Sequence, residues 1–233
     1  MTTLSVIQDA CTSGIALEKP TAVYGSATRE HIELASLLNE AAGMIADAHE
    51  WQTLNRIATI TGDGSDEDFA LPSDFGRMLD KSQLWSSSLE TPLTPISDRD
   101  QWLGLDVQSF DFVINAWIIY GDEIHIKPAL ASAVTVKYWY QSNLWGRTSG
   151  ATNIATFTAD TDVFRLNERL LKLALVYKWR EMKGLPYAEN MADYQDLLSK
   201  LIARDKGSRI IRLGKAQMPR DAVFAYPQSV SGT

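Results

Sequence analysis

Leu34, Leu38, Ala41, Ile45 and Ala48 recur at alternating spacings of four and three, which lines one face of a helix. The pattern predicts a helix from Thr28 to about Glu50, with Trp51 packed at its end. A shorter helix is expected over Leu4 to Thr12, ended by Gly14, followed by a loop at Leu17 to Ser26 that holds Pro20 and Gly25. After Gln52 the period changes from 3.6 to short alternating runs. Arg56 to Thr61 and Asp68 to Leu71 flank Gly62-Asp63-Gly64 and predict a hairpin, closed by Pro72. Phe75 to Trp102 holds Pro92 and Pro95 and reads as irregular, with short strands near Leu84 and Leu93. Phe112 to Tyr120 and Glu123 to Lys127 predict a second hairpin around Gly121-Asp122. Val134, Val136, Tyr138 and Tyr140 alternate with Thr135, Lys137 and Trp139, the pattern of a half-buried strand.

Helical periodicity returns later in the chain. Residues 141–159 are rich in Ser, Thr, Asn and Gly and read as a long loop. A helix capped by Thr161 or Asp162 is expected next, and 12 of the 20 residues from Val163 to Met182 are apolar or aromatic. A single core-facing stripe needs fewer, so this helix should be covered on more than one side. Gly184 and Pro186 end it, and a last helix is predicted over Tyr187 to Asp205, with Met191, Tyr194, Leu198 and Leu201 on one face. The expected fold is α+β. A helical bundle (residues 1–51 and 160–206) pairs two N-terminal helices with two long antiparallel C-terminal ones. A small antiparallel β domain (52–140) is inserted into it, with a loop (141–159) and an extended C-terminal arm (207–233).

Composition narrows the functional classes. The chain has 233 residues, 45% apolar and 22% charged, as expected of a globular protein with a substantial core. Cys11 is the sole cysteine, so no intrachain disulfide forms and a thiolate zinc site would need borrowed ligands. Met1 to Pro20 lacks a basic stretch followed by an apolar core, and no apolar run approaches the roughly 20 residues of a membrane span. A soluble protein folded in a reducing cytoplasm is expected. The formal charge is −7, which argues against gripping nucleic acid over the whole surface. Yet Arg204, Lys206, Arg209, Arg212, Lys215 and Arg220 face one acid, Asp205, giving that segment +5 and leaving −12 on the rest. An acidic body with a basic tail is the main asymmetry.

Motifs for chemistry are sparse. His31 and His49 lie 18 residues apart on one predicted helix, about 27 Å at 1.5 Å per residue, too far to share a metal. His125 sits between Glu123 and Lys127 on a strand and reads as solvated or cross-strand paired. Asp63, Asp66, Glu67 and Asp68 form an acidic turn without the spacing of an EF-hand. Asp98 and Asp100 flank Arg99, and Asp160 and Asp162 suit helix capping better than acid–base work. Whether two carboxylates face each other across a glycosidase-like cleft cannot be read from spacing. The Gly-Ser pairs lack a nucleophile elbow, and Leu213-Gly214-Lys215-Ala216 lacks the upstream glycine and hydroxyl of a phosphate loop. Cys11 reads as a packed thiol. The aromatics Trp85, Trp102, Trp117, Tyr138, Trp139, Tyr140 and Trp145 cluster in the β region with few bases between them, which favours packing over base stacking. No cofactor or metal is expected.

The run FTADTDVFRLNERLL from Phe157 to Leu171 resembles the head-to-tail adaptors of tailed bacteriophages, of the tail tubular protein A type. So do WREMKGLPYAE from Trp179 to Glu189 and IARDKGSR from Ile202 to Arg209. HEWQ from His49, ITGDG from Ile60, LPSDF from Leu71 and PLTP from Pro92 fit the same family in the same order. The resemblance implies a virion protein without catalysis, assembled in the host cytoplasm. It implies a homo-oligomeric ring, usually of twelve copies, that binds the portal protein and holds a tail nozzle or tail tube protein below. Double-stranded DNA passes through without specific binding, and no membrane is involved. The portal-docking arm would include Arg209, Ile210, Ile211, Arg212, Leu213, Lys215 and Arg220, with the isoleucines and leucine as apolar anchors between charges. The helix of Phe164, Leu166, Leu170, Leu173 and Tyr177 would pack subunits or bundle helices together. The acidic body suits a DNA conduit, because a wall that binds phosphate tightly stalls passage. Three other readings stand beside this one: a peptidoglycan hydrolase using an Asp/Glu pair during infection, a stopper or tail terminator, and an arm that is a basic tail binding DNA nonspecifically.

Overall fold

The structure, a computed structural model, describes residues 1–107 and 115–205. Helix α1 (Thr3–Ala10) begins at Thr2, whose side chain accepts the Ser5 amide, and widens into a turn over Cys11–Ile15. A Cβ at Gly14 would lie 2.5 Å from Val176 Cγ1, so the missing side chain lets this turn press against the later helix α4. Helix α2 (Arg29–Asp47) buries Leu34, Leu37, Leu38, Ala41, Ala42, Ile45 and Ala46. The last carbonyls of a helix lack intrahelical donors. Here two side chains supply them: Trp51 Nε1 donates to Ile45 O at 2.7 Å, and Gln141 Nε2 donates to Ala46 O at 2.8 Å and His49 O at 3.1 Å.

Eleven strands follow: β1 (Asn55–Thr61), β2 (Asp68–Ala70), β3 (Phe75–Met78), β4 (Trp85–Ser86), β5 (Thr94–Pro95), β6 (Ala116–Tyr120), β7 (Glu123–Lys127), β8 (Thr135–Ser142), β9 (Gly146–Arg147), β10 (Asn153–Ile154) and β11 (Val163–Phe164). Helix α3 (Arg99–Val107) lies between β5 and β6, and α4 (Glu168–Met182) and α5 (Ala188–Asp205) close the described chain. In the first sheet β8 pairs antiparallel with β1 on one side and with β3 and β4 on the other. The second sheet runs β2-β7-β6-β5, with β5 parallel to β6, and the third runs β10-β9-β11.

Two main cores result. The inward faces of the first two sheets bring Ala58, Ile60, Val136 and Tyr138 together with Trp117, Ile124 and Ile126. In the other core, α4 packs against α1, α2 and α5, and the third sheet contributes Trp145, Phe157 and Phe164, whose rings meet edge to face. Gln141 joins the cores: while it caps α2, its Oε1 accepts Arg77 Nε of β3 at 2.9 Å. Arg165 adds a second tie, donating to Thr53 O at 3.0 Å and to Leu144 O.

This architecture overturns the expected helical bundle with a small inserted antiparallel β domain. The strands form three sheets, one with a parallel pair, and the third arises from the stretch expected to be loop and lies inside the helical core. The first predicted hairpin is absent. β1 pairs with β8 over all seven of its residues, and β2 pairs with β7 in the other sheet. The longer ladder, with Ala58 and Ile60 opposite Tyr138 and Val136, offers more buried cross-strand pairs than three-residue β2 could. Helix α3 forms where irregular chain was expected, with Asp98 Oδ1 accepting the Asp100 amide at 2.9 Å. The helix expected from Val163 starts at Glu168, capped by Asn167, so Phe164 and Leu166 precede it. The side chains of Asp160 and Asp162 cap no helix. Asp162 accepts the Thr158 and Ala159 amides at 2.8 and 2.9 Å, and Asp160 accepts those of Val23 and Tyr24 at 3.1 and 3.2 Å. Their backbone carbonyls accept the Thr3 and Leu4 amides at 2.7 and 3.2 Å, so together they tie the start of α1 and the following loop to the segment just before β11. The expected arm, 207–233, lies outside the described residues.

Gln141→Leu keeps roughly the volume but strands the Ala46 carbonyl and leaves the His49 carbonyl with the Trp51 amide alone. It should destabilise the fold by about 1–3 kcal/mol in urea denaturation, and unchanged stability would refute the capping role. Burial pushes the phenols of Tyr138, in the sheet core, and Tyr194, in the helical core, up to about 12. Unfolded tyrosines, ionising near about 10, lose their protons first. Stability should therefore be full below about pH 10 and fall between about 10 and 12. Denaturation midpoints that stay flat while the phenolate absorbance rises would contradict this.

Candidate assembly surfaces

Most ionisable groups suggested by the sequence are engaged in structural contacts. His31 Nδ1 lies 2.8 Å from Ser26 Oγ on the lead-in to α2. His49 is buried edge-on to Trp51, with Nε2 3.3 Å from a carboxylate oxygen of Asp205. His125 is paired across the strands but not solvated. Nδ1 meets Asp68 Oδ1 at 2.5 Å, Nε2 faces Tyr120 O at 3.2 Å, and the ring stacks on Tyr120. Helix α3 covers this side of the second sheet, placing Trp102 near His125 and beneath the Lys127 ammonium. In the acidic turn, Asp63 accepts the Asp66 and Ser65 amides and the Ser65 hydroxyl, which hold its carboxyl down at about 2. Its neighbours Glu67 and Asp68 pair with Lys127 and His125. Burial pushes the Cys11 thiol up, away from thiolate chemistry. Among the described residues, no group of three or more His, Cys, Asp or Glu side chains is placed to hold a metal.

Two clefts are open to solvent. The larger, about 360 Å³, lies between α1 and the start of α4, where Glu168 is held by the Met1 ammonium at 2.5 Å. The other, about 250 Å³, lies between α2 and the β3–β8 pair; Asp47 is the one carboxylate in its lining. Two carboxylates line the larger cleft, Asp9 from α1 and Glu168 from α4, and Glu168 is paired with the Met1 ammonium.

The apolar residues expected to pack subunits lie mainly within the chain. Phe164, Leu170 and Tyr177 are buried in the helical core, and Leu166 and Leu173 are half-buried against it. The excess apolar character of α4 is accounted for by α1, α2 and α5 around it. The arm residues Arg209, Ile210, Ile211, Arg212, Leu213, Lys215 and Arg220 lie outside the described residues.

Large apolar side chains are exposed at several places, among them Ile32 of α2 and Leu103 and Val107 of α3, and at two further places that sequence reasoning missed. On the outer face of the first sheet, Ile57 of β1 stands opposite Trp139 of β8 and both are about half exposed, 54% and 48%. Trp85 of β4, opposite Lys137, extends the patch. The available signal was a Trp on the polar side of the β8 alternation. The second place is the α4–α5 tip, where Met182, Leu185, Tyr187 and Met191 are all exposed within ten residues. The tip is well fixed. Gly184, at φ 68°, closes α4 with its amide on Glu181 O while the Leu185 amide reaches Arg180 O. Arg180 also donates to Asn190 of α5 at 2.7 Å. In such a cap the residue in the Leu185 position commonly folds back onto its helix, yet Leu185 stays 46% exposed. Contiguous exposed apolar side chains on an ordered scaffold mark contact sites.

These features define a protein equipped for docking to other proteins. The family model described as SU10 adaptor protein matches residues 1–219, and the chain belongs to that family of phage head-to-tail adaptors. It is thus a structural adaptor of the virion neck, working with portal and tail components. No curated protein matches the chain. No helix among the described residues is long and apolar enough to cross a membrane.

Because neither patch contributes to a core, Trp139→Ser and Leu185→Ser should each leave stability within about 0.5 kcal/mol of the parent. Thermal melting of the purified variants checks this, and a large loss in either would show that the side chain is part of the fold.

Proposed function

We propose that the chain acts as a ring, of twelve copies as in the family it resembles, seated beneath the portal. The ring joins the portal to a tail nozzle or tail tube protein and lets genome DNA pass through its centre. The observation that carries this reading is the family match across nearly the whole chain, residues 1–219. Two features of the sequence support it. The basic segment beginning at Arg204 offers charge for docking, with Ile210, Ile211 and Leu213 between the bases, and ordering on a partner suits such a composition. The remainder carries the −12 balance, which disfavours tight phosphate binding along a channel. No metal or nucleotide enters this role, and the ring is assembled in the host cytoplasm before it joins the capsid. Of the other readings, peptidoglycan hydrolysis would have to use Asp9 and Glu168 of the larger cleft, where Glu168 is already paired with the Met1 ammonium.

Mixing the protein with the portal protein of its phage and measuring the mass of the complex tests partner and copy number together. A defined complex with about twelve adaptor chains is expected; separate species at all ratios would refute the reading. Deleting Gly207–Thr233 should abolish portal binding while circular dichroism and melting stay unchanged. Normal binding by the truncated chain would remove the arm from the mechanism.

A further inference from the structure

Helix α2 separates the two exposed apolar patches. At its N-terminal end, Glu33 accepts Lys183, just past the end of α4, at 2.6 Å, so the α4–α5 tip lies there. At its C-terminal end, Ala46 O is capped by Gln141 of β8, two residues beyond Trp139 on the same strand face. Glu33 and Ala46 are 13 residues apart, about 20 Å of helix at 1.5 Å per residue. The patches therefore sit toward opposite ends of α2, and both stay exposed within one chain.

Their charges are complementary. On the outer face of the first sheet, the side chains from β1, β4 and β8 include Ile57, Thr59, Thr61, Trp85, Thr135 and Trp139, and the charged strand positions on this face are the bases Lys137 of β8 and Arg77 of β3, opposite Gln141. Around Met182, Leu185, Tyr187 and Met191 the tip instead exposes the acids Glu181, Glu189 and Asp193. Its own cation, Lys183, is held by Glu33 and lies over the Trp179 ring. An apolar face marked by bases is thus matched by an apolar tip marked by acids, on the same chain and toward opposite ends of α2. A self-complementary patch would give a closed pair, whereas two different complementary patches give head-to-tail association.

We propose that the occupant of the sheet face is the α4–α5 tip of a second copy of this chain, with Trp139 and Ile57 packing against Leu185 and Tyr187 and Lys137 near Glu189 and Asp193. Repeated from copy to copy, this contact is heterologous and closes into a ring when the rotation between copies permits. The tip enters already ordered by its glycine cap and the Arg180–Asn190 bond, so little freedom is lost on docking. The inference rests on the ring-forming adaptor reading and assigns the faces by which neighbours meet.

The test uses two full-length variants, each keeping one face. One carries Ile57→Ser with Trp139→Ser, the other Leu185→Ser with Tyr187→Ser. Self-association is followed by sedimentation velocity, alone and with the portal protein. The parent chain should form higher oligomers, and each variant alone should associate at least about tenfold more weakly. An equimolar mixture of the two should form a one-to-one heterodimer and grow no further, since it holds one intact pair of faces. Lys137→Glu should weaken association, and adding Glu189→Lys with Asp193→Lys should restore it. The proposal is overturned if either double variant assembles like the parent chain, if the mixture stays monomeric, or if the parent chain is monomeric under both conditions. Parent-like assembly by both double variants together with portal binding would discard these faces and keep the adaptor role. The predicted heterodimer without portal binding would keep the faces and discard that role.

Discussion

The C-terminal end of α2 is the joint on which the rest of the molecule depends. A helix that ends inside a protein leaves carbonyls without donors, and each must be met or the end frays. Here Trp51 and Gln141 meet them, and Gln141 is itself a residue of the central strand β8. One amide therefore satisfies the helix end and sets where the first sheet begins. Arg77 and Arg165 hold the same junction from β3 and from the approach to α4. Because Gln141 and Arg165 bond across this junction, the helical core and the sheet core have a defined placement. The distance between the two exposed patches follows from it.

A consistent division of labour runs through the chain. Side chains that could do chemistry are tied into turns, caps and cross-strand pairs: Asp63 in its turn, Asp160 and Asp162 on backbone amides, His125 between Asp68 and Tyr120. Of the large apolar side chains left outside, seven lie at the sheet face and the helical tip, and others stand on α2 and α3. This is the arrangement expected of a family whose members connect other proteins.

Local signals in the sequence carried much of the secondary structure and less of the topology. The helix at Leu34 to Ala48 and the half-buried strand around Tyr138 were legible because each is periodic and long enough to be distinctive. The Gly121-Asp122 turn was legible because both residues adopt positive φ, a conformation those residue types favour. The partner of β1 was not legible, since β8 lies some 75 residues away and the nearby glycine turn offered a plausible local pairing. The third sheet was hidden because its strands are two residues long and its core contribution comes from isolated aromatics. Helix α3 left one readable trace, the Asp98-x-x-Gln101 spacing of a capping box. For the contact surfaces, the excess of apolar residues in α4 suited either a neighbouring subunit or other helices of the chain, and three helices of the same chain absorb it. The exposed patches come from single residues on the polar side of a pattern, Trp139 above all, which composition alone does not separate from core aromatics.

The most direct measurement is an electron cryo-microscopy reconstruction of the full chain assembled on the portal of its phage. The account predicts a closed ring in which every copy places its α4–α5 tip on the outer face of the neighbour's first sheet, with Trp139 and Leu185 at the centre of each contact. A ring whose neighbours meet elsewhere, leaving both side chains in solvent, or a map with no ring on the portal, would contradict it.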